Sequence, residues 1–183
     1  MASEKTRTIC LTDREATLAA QGKLGALLRV IQPRKGEHIY DYIKDYDPND
    51  PAYGPFCEDE NGVYHPTAKL APFAPGQKVG LKESWAEHAD GLDTGDGTGH
   101  LFYRADFPEG HPFSDGKWRS PVTMPAWAIR HRPTVLSVSA EQAGNLSPWK
   151  VIELGVCSNA WMYAYRIEPS TWVWFATVDW RTE

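Results

Sequence analysis

Cysteine is scarce in this 183-residue chain: Cys10, Cys57 and Cys157 lie far apart, and none forms a C-x-x-C pair. An odd, dispersed set argues against a disulfide framework and a zinc ribbon, and fits a reducing compartment. The six histidines show no ligand spacing with the cysteines, so no metal site and no cofactor are expected. Long apolar runs are missing as well. No stretch approaches the roughly 18 residues of a membrane span, and the opening MASEKTRTICL lacks the apolar core of a signal peptide. The expectation is a soluble, cytoplasmic protein with no membrane contact. Basic excess is absent too. With a formal charge of −5, the chain can bind nucleic acid only through a local cluster of Lys and Arg.

Aromatic residues are what the chain has in quantity. They make up 12% of it and include eight Trp, within 42% apolar residues overall. That composition describes a globular chain, and its length supports one domain over residues 1–183 with a sizeable core.

A pass along the sequence places short elements. Residues 7–11 suit a strand, and Thr12 or Asp13 caps a helix that runs to Ala20 and is closed by Gly22. Residues 26–31 read as a buried strand stopped by Pro33. Residues 32–75 form a loop-rich excursion with one hairpin turning at Asn61-Gly62. After a turn at Gly76-Gln77, residues 79–85 read as a strand, and residues 101–107 as another. Between them Asp90, Asp93 and Asp96 recur every third residue. That is not the alternation of a calcium loop, so they read as polar loop.

A short helix enters through Pro125, and residues 133–142 form a strand. Ser147 caps a helix with Pro148 at its first position and Gly155 as its stop. Two aromatic strands end the chain, AWMYAYRIE and TWVWFATVDW, joined at Pro169-Ser170. Residues 169–183 are a C-terminal strand extension. Scattered strands with a few small helices imply a mixed α+β, mainly β fold: a strongly curved sheet or small barrel with long loops.

One residue is out of place. Side chains alternate along a strand, so Val79, Leu81, Glu83 and Trp85 share a face while Lys82 and Ser84 take the other. A carboxylate between Leu81 and Trp85 either pairs with a buried cation, Arg29 or Arg104 being the candidates, or faces a ligand pocket as an acceptor or general base. Arg104 and Asp106 are two apart and so either brace each other on one strand face, or Arg104 grips phosphate. In the loop that follows, Trp118 between Lys117 and Arg119 suits base stacking beside phosphate contacts, or else caps one end of a barrel. Arg130, His131 and Arg132 form a basic run that joins Lys117, Arg119, Arg34 and Lys35 in one patch, or is simply a solvated face. Trp172, Trp174 and Trp180 are core packing, or a surface for a protein partner.

Several segments together resemble the ASCH-domain proteins of the PUA-like barrel superfamily, in the short form found in phages and prophages. APFAPGQKVGLKESW looks like that family's glycine turn and its strand of basic residue, Glu, Ser or Thr, and Trp. FYRADF is similar to its next strand, KWRSPVTMPAWAIR to its signature loop, NLSPWKVIELGV to its Ser-capped helix, and NAWMYAYRIE to its terminal strand. The resemblance covers roughly residues 7–31 and 70–168. It implies a PUA-like small β-barrel with short flanking helices. It also implies weak binding of RNA, single-stranded nucleic acid or a nucleotide in a cleft beside the 78–85 strand.

In that reading Arg29, Arg104, Asp106, Ser84 and Trp85 bind ligand, and Lys117, Trp118 and Arg119 form the rim. Some relatives are amidohydrolases on modified cytidine and others resemble ribonucleases. Such chemistry here implies Glu83 as base, helped by Lys82 or Lys23. The sequence departs from the family where a Lys and a Glu or Thr are usual, with Leu24 and Leu27, and again at Thr123 and Ala126. Those losses give a third expectation, a phage-encoded interaction module whose Trp-rich C-terminal strand meets another protein.

Overall fold

Thr12 starts the first helix because its hydroxyl accepts from the Glu15 N–H while the Glu15 carboxylate accepts from the Thr12 N–H at 2.9 Å, a reciprocal box. In the computed structural model, residues 7–33, 35–36, 38–39, 56–66, 71–87, 101–108, 117–155, 162 and 166–180 are described. Their elements, in chain order, are β1 (Arg7–Cys10), α1 (Asp13–Ala20), β2 (Ala26–Val30), β3 (His38–Ile39), β4 (Phe56–Glu58) and β5 (Tyr64–Pro66). There follow β6 (Val79–Lys82), β7 (Trp85–Glu87), β8 (Leu101–Tyr103), β9 (Thr134–Gln142), α2 (Pro148–Glu153) and β10 (Trp172–Asp179). The mixed, mainly β class stands. The strands form sheets of two and three, and among the described residues no closed barrel is formed.

Where the sequence carries one domain's length, contacts gather into two compact units. The first holds Met1–Leu24, Lys78–Thr134 and Trp180–Glu183, and the second Gly25–Gln77 and Val135–Asp179. In the first unit, β1 runs parallel to β6, with Ile9 beside Leu81, and β7 pairs antiparallel with β8. Trp85, Met124, Ala128 and Ile129 pack as its core, joined by Leu101 and Tyr103.

In the second unit, β10 lies between β2 and β9. Its core gathers Ala26, Leu28, Leu146, Val151, Leu154, Val173 and Phe175. The hairpin β4–β5 turns over Asn61-Gly62, with Asp59 Oδ1 accepting from the Asn61 and Val63 N–H groups. Gly22 and Gly155, after α1 and α2, take φ of +65° and +71°, the left-handed stops that only glycine adopts cheaply.

Several expectations are corrected. The strand over residues 79–85 breaks at Glu83 and Ser84. Leu81 pairs with His131 but Trp85 pairs with Arg119, so the chain changes partners there. The strand over residues 101–107 ends at Tyr103, because Arg104–Asp106 coils into a 3-10 turn closed by the Phe107 N–H on the Arg104 carbonyl. Of the terminal strand expected at residues 160–168, Met162 and Arg166–Glu168 are described, and none lies in a strand. Arg34, Cys157 and the Gly- and Asp-rich loop with Asp90, Asp93 and Asp96 lie outside the described residues.

Trp174 is core, and the Trp180 indole donates to the Leu24 carbonyl and meets His131 edge-on at 5.5 Å. Neither is a free interface Trp. Leu24 and Leu27 are fully buried, so both positions serve packing.

Replacing Thr12 by Ala removes one half of the capping box and costs about 1 kcal/mol. A thermal melt is expected to fall by about 2–4 °C for a chain of this size. An unchanged melt would mean that the box adds nothing to stability.

Candidate functional site

Burial decides how Glu83 behaves. Its side chain is 1% exposed, and an ionised carboxylate at such a place must be paired. The partner is neither Arg29 nor Arg104 but Arg130. Arg130 Nε donates to Glu83 Oε1 at 2.8 Å and Nη2 to Oε2 at 3.0 Å, a two-pronged fork. The same guanidinium donates Nη1 and Nη2 to Asp106 at 2.8 and 2.9 Å, and lies 4.0 Å from the Tyr103 ring centre. Tyr103 is fixed in turn, its hydroxyl donating to the Ala128 carbonyl at 2.8 Å. Asp106 therefore braces Arg130 and not Arg104, because the 3-10 turn removes the shared strand face.

Burial pushes the Glu83 pKa up from the usual carboxylate value, and the hydrogen bonds and charge of Arg130 oppose that rise. His131, half-buried beside the pair, is held below the ordinary imidazole value, first by burial and then by the Arg130 charge. Its Nε2 makes no hydrogen bond among the described residues, and the Glu83 Oε1 is 3.9 Å away. Arg130 and His131 are thus part of a buried network and not a solvated face.

The other candidates sort themselves around this centre. Lys82, on the opposite strand face, donates to the Val122 carbonyl at 3.3 Å, and Lys23 is exposed before β2. Neither joins Glu83. Arg29 lies in β2 of the second unit and donates to the Leu28 carbonyl. Trp85 is core: its indole donates to Thr123 Oγ1 at 3.3 Å, and Arg119 covers the ring at 4.7 Å while pairing with Glu87 at 2.9 Å. Lys117 is exposed. Trp118 is half-buried, tilted against Phe107 at 5.6 Å, with the Arg104 guanidinium over it at 5.7 Å.

Residues not singled out in the sequence complete a cleft of about 550 Å³ in the first unit. From α1 come Asp13, Arg14, Thr17 and Leu18, and from its C-cap Gln21, positions that fall on one helical face. Arg104, Ala105 and Phe107 form the facing wall. Ser84 ties the walls together: its hydroxyl donates to Asp13 Oδ1 at 3.0 Å, and its carbonyl accepts from the Arg104 N–H at 2.9 Å. Arg104 is anchored through Nη1 on the Phe107 and Pro108 carbonyls, at 3.4 and 3.0 Å. Its Nε and Nη2 make no hydrogen bond among the described residues, and Arg14 has no carboxylate partner among them. A rigid guanidinium with open donors, a second cation and an aromatic wall can hold an anion beside a planar group.

Among the described residues no cluster of His, Cys, Asp and Glu is arranged to hold a metal, and no helix is long and apolar enough to cross a membrane. Compared with protein-family models, curated proteins and solved structures, the chain matches none.

Proposed function

We propose that the protein binds single-stranded nucleic acid or a nucleotide in the cleft between α1 and the Arg104–Asp106 turn. The observation that carries this reading is Arg104. It lies over the Trp118 ring, is anchored through one nitrogen and is left with donors for phosphate, in a cleft that also holds Arg14. Phe107 offers a face for a base, and Thr17 and Gln21 offer polar contacts to a base edge or sugar. Lys117 and Arg119 remain rim residues in this proposal, and Asp106, Ser84 and Trp85 support the wall.

The ordered motifs that resemble the ASCH-domain proteins support the same reading. A PUA-like arrangement of the strands, an RNA ligand and a cytoplasmic setting belong to the proposal on that ground. The amidohydrolase or ribonuclease reading has less support. Both Glu83 oxygens are held by Arg130, and Lys82 and Lys23 are elsewhere.

Titration of the intrinsic Trp fluorescence with a short single-stranded RNA tests the proposal. Binding is expected with a Kd on the order of 10 µM at low salt, within the range of sequence-independent binding. Two phosphate contacts give a slope of about −1.4 for log affinity against log salt, a roughly sevenfold loss on a fourfold rise in salt. No binding at low salt refutes the proposal.

A further inference from the structure

The loop of residues 120–128 in the first unit carries an aromatic side chain that its own packing does not use. Trp127 is 58% exposed and Val122 70% exposed, while Met124 and Ala128 of the same loop, and Ile129 just after it, are buried in the core. Pro125 leads into the 3-10 turn Ala126–Ala128, and the Ala128 N–H donates to the Pro125 carbonyl at 3.1 Å. Trp127 is thus held outward by a loop that is anchored on both sides, and it does not swing on a loose one.

Two cations sit on this loop's carbonyls. Lys82 Nζ donates to Val122 at 3.3 Å, and Arg132 Nη2 donates to Ala126 at 2.9 Å. Neither has a carboxylate partner among the described residues. In the same unit, by contrast, Arg119 pairs with Glu87, and Arg130 pairs with Glu83 and Asp106. An outward Trp on a loop whose carbonyls hold two cations without carboxylate partners among the described residues is complementary to a base and its phosphates. A protein partner fits it less well, because the centres of such interfaces are depleted of charge.

We infer that Trp127 is a second stacking platform, with Lys82 and Arg132 as its phosphate contacts, and that the ligand is an oligonucleotide spanning this loop and the cleft rather than a mononucleotide. The inference rests on the nucleic-acid reading of the cleft. One continuous segment joins the two places. It runs from Trp118, under the Arg104 guanidinium of the cleft wall, through Arg119 on the Trp85 ring, to the turn that carries Trp127.

The test uses the full chain with two probes, an oligouridylate of about twelve nucleotides and uridine monophosphate, measured by calorimetry. Trp127→Ala is expected to weaken the oligonucleotide roughly 5- to 150-fold, the value of one base stack, and to leave the mononucleotide unchanged. Trp127→Phe keeps the stack and retains most of the affinity. Arg104→Ala weakens both probes. If Trp127→Ala leaves the oligonucleotide unchanged while Arg104→Ala weakens it, the inference fails and the cleft reading stands. If wild-type protein binds neither probe, the cleft reading fails and takes the inference with it. A Trp127→Ala change that alters self-association in sedimentation, but not oligonucleotide affinity, also overturns the inference.

Discussion

Replacing Arg130 by Met lowers the melting temperature at neutral pH by roughly 6–12 °C. That range corresponds to about 3 kcal/mol in a chain of this size. The cost arises because the variant leaves the Glu83 carboxylate buried without its fork, and losing one partner of a buried pair is far worse than losing both. Arg130 is 26% exposed, which places the figure at the low end of the usual range for such a loss.

The pH dependence has a definite sign. The folded-state pKa of Glu83 is already raised above its ordinary value, with burial the leading cause, and removing Arg130 raises it further. In the window between the ordinary carboxylate pKa and that raised value, the folded state holds more protons than the unfolded state. Stability from this group therefore grows as pH falls and is lost as pH rises through the folded pKa. The gap in melting temperature between variant and wild type should narrow when both are melted at about pH 5. The double change Glu83→Leu with Arg130→Met removes both charges and is expected to recover most of the loss. A gap that stays constant from neutral pH down to that value contradicts the assignment of the cost to Glu83.

Arg104→Ala carries the second large effect. Charge-assisted hydrogen bonds are worth about 1.5–3 kcal/mol, so affinity for single-stranded RNA falls roughly 10- to 100-fold. One phosphate contact fewer also flattens the salt slope by about 0.7. Arg104→Lys keeps the charge but not the planar fork over Trp118, and is expected to recover only part of the affinity. The melt is the control. Among the described residues Arg104 makes no ion pair and its hydrogen bonds are to nearby carbonyls, so stability changes little. A variant that binds like wild type removes Arg104 from the site.

Local signals were readable in the sequence and distant pairings were not. The Ser147-Pro148 start and Gly155 stop of α2, and the Thr12 cap with Gly22 after α1, follow from backbone chemistry within a few residues. The reciprocal Glu15 of the Thr12 box carried the same kind of signal, Thr-x-x-Glu, and completes it.

The burial of Glu83 was legible because a period-two pattern put it between Leu81 and Trp85. Its partner was not, since Arg130 lies 47 residues away inside a run whose charge suggested a solvated patch. The turn at Arg104 was hidden because FYRADF alternates like a strand. Its departure from extended chain depends on the Ser84 carbonyl meeting the Arg104 N–H, a contact from another segment. The cleft escaped notice for a related reason. Arg14, Thr17 and Gln21 are ordinary polar positions on an amphipathic helix until the Arg104–Asp106 turn faces them.

The most direct test of the central claim is amide chemical-shift mapping of the isotope-labelled protein at low salt during titration with single-stranded RNA. The largest shifts are expected at Arg14 and Thr17 of α1, at its C-cap Gln21, and at Arg104, Ala105 and Phe107, which line the cleft. Trp118 should move with them, as the ring beneath the Arg104 guanidinium. Shifts confined to α2 and β9 of the second unit, or no shifts at any RNA concentration, would contradict the claim that this cleft is the binding site.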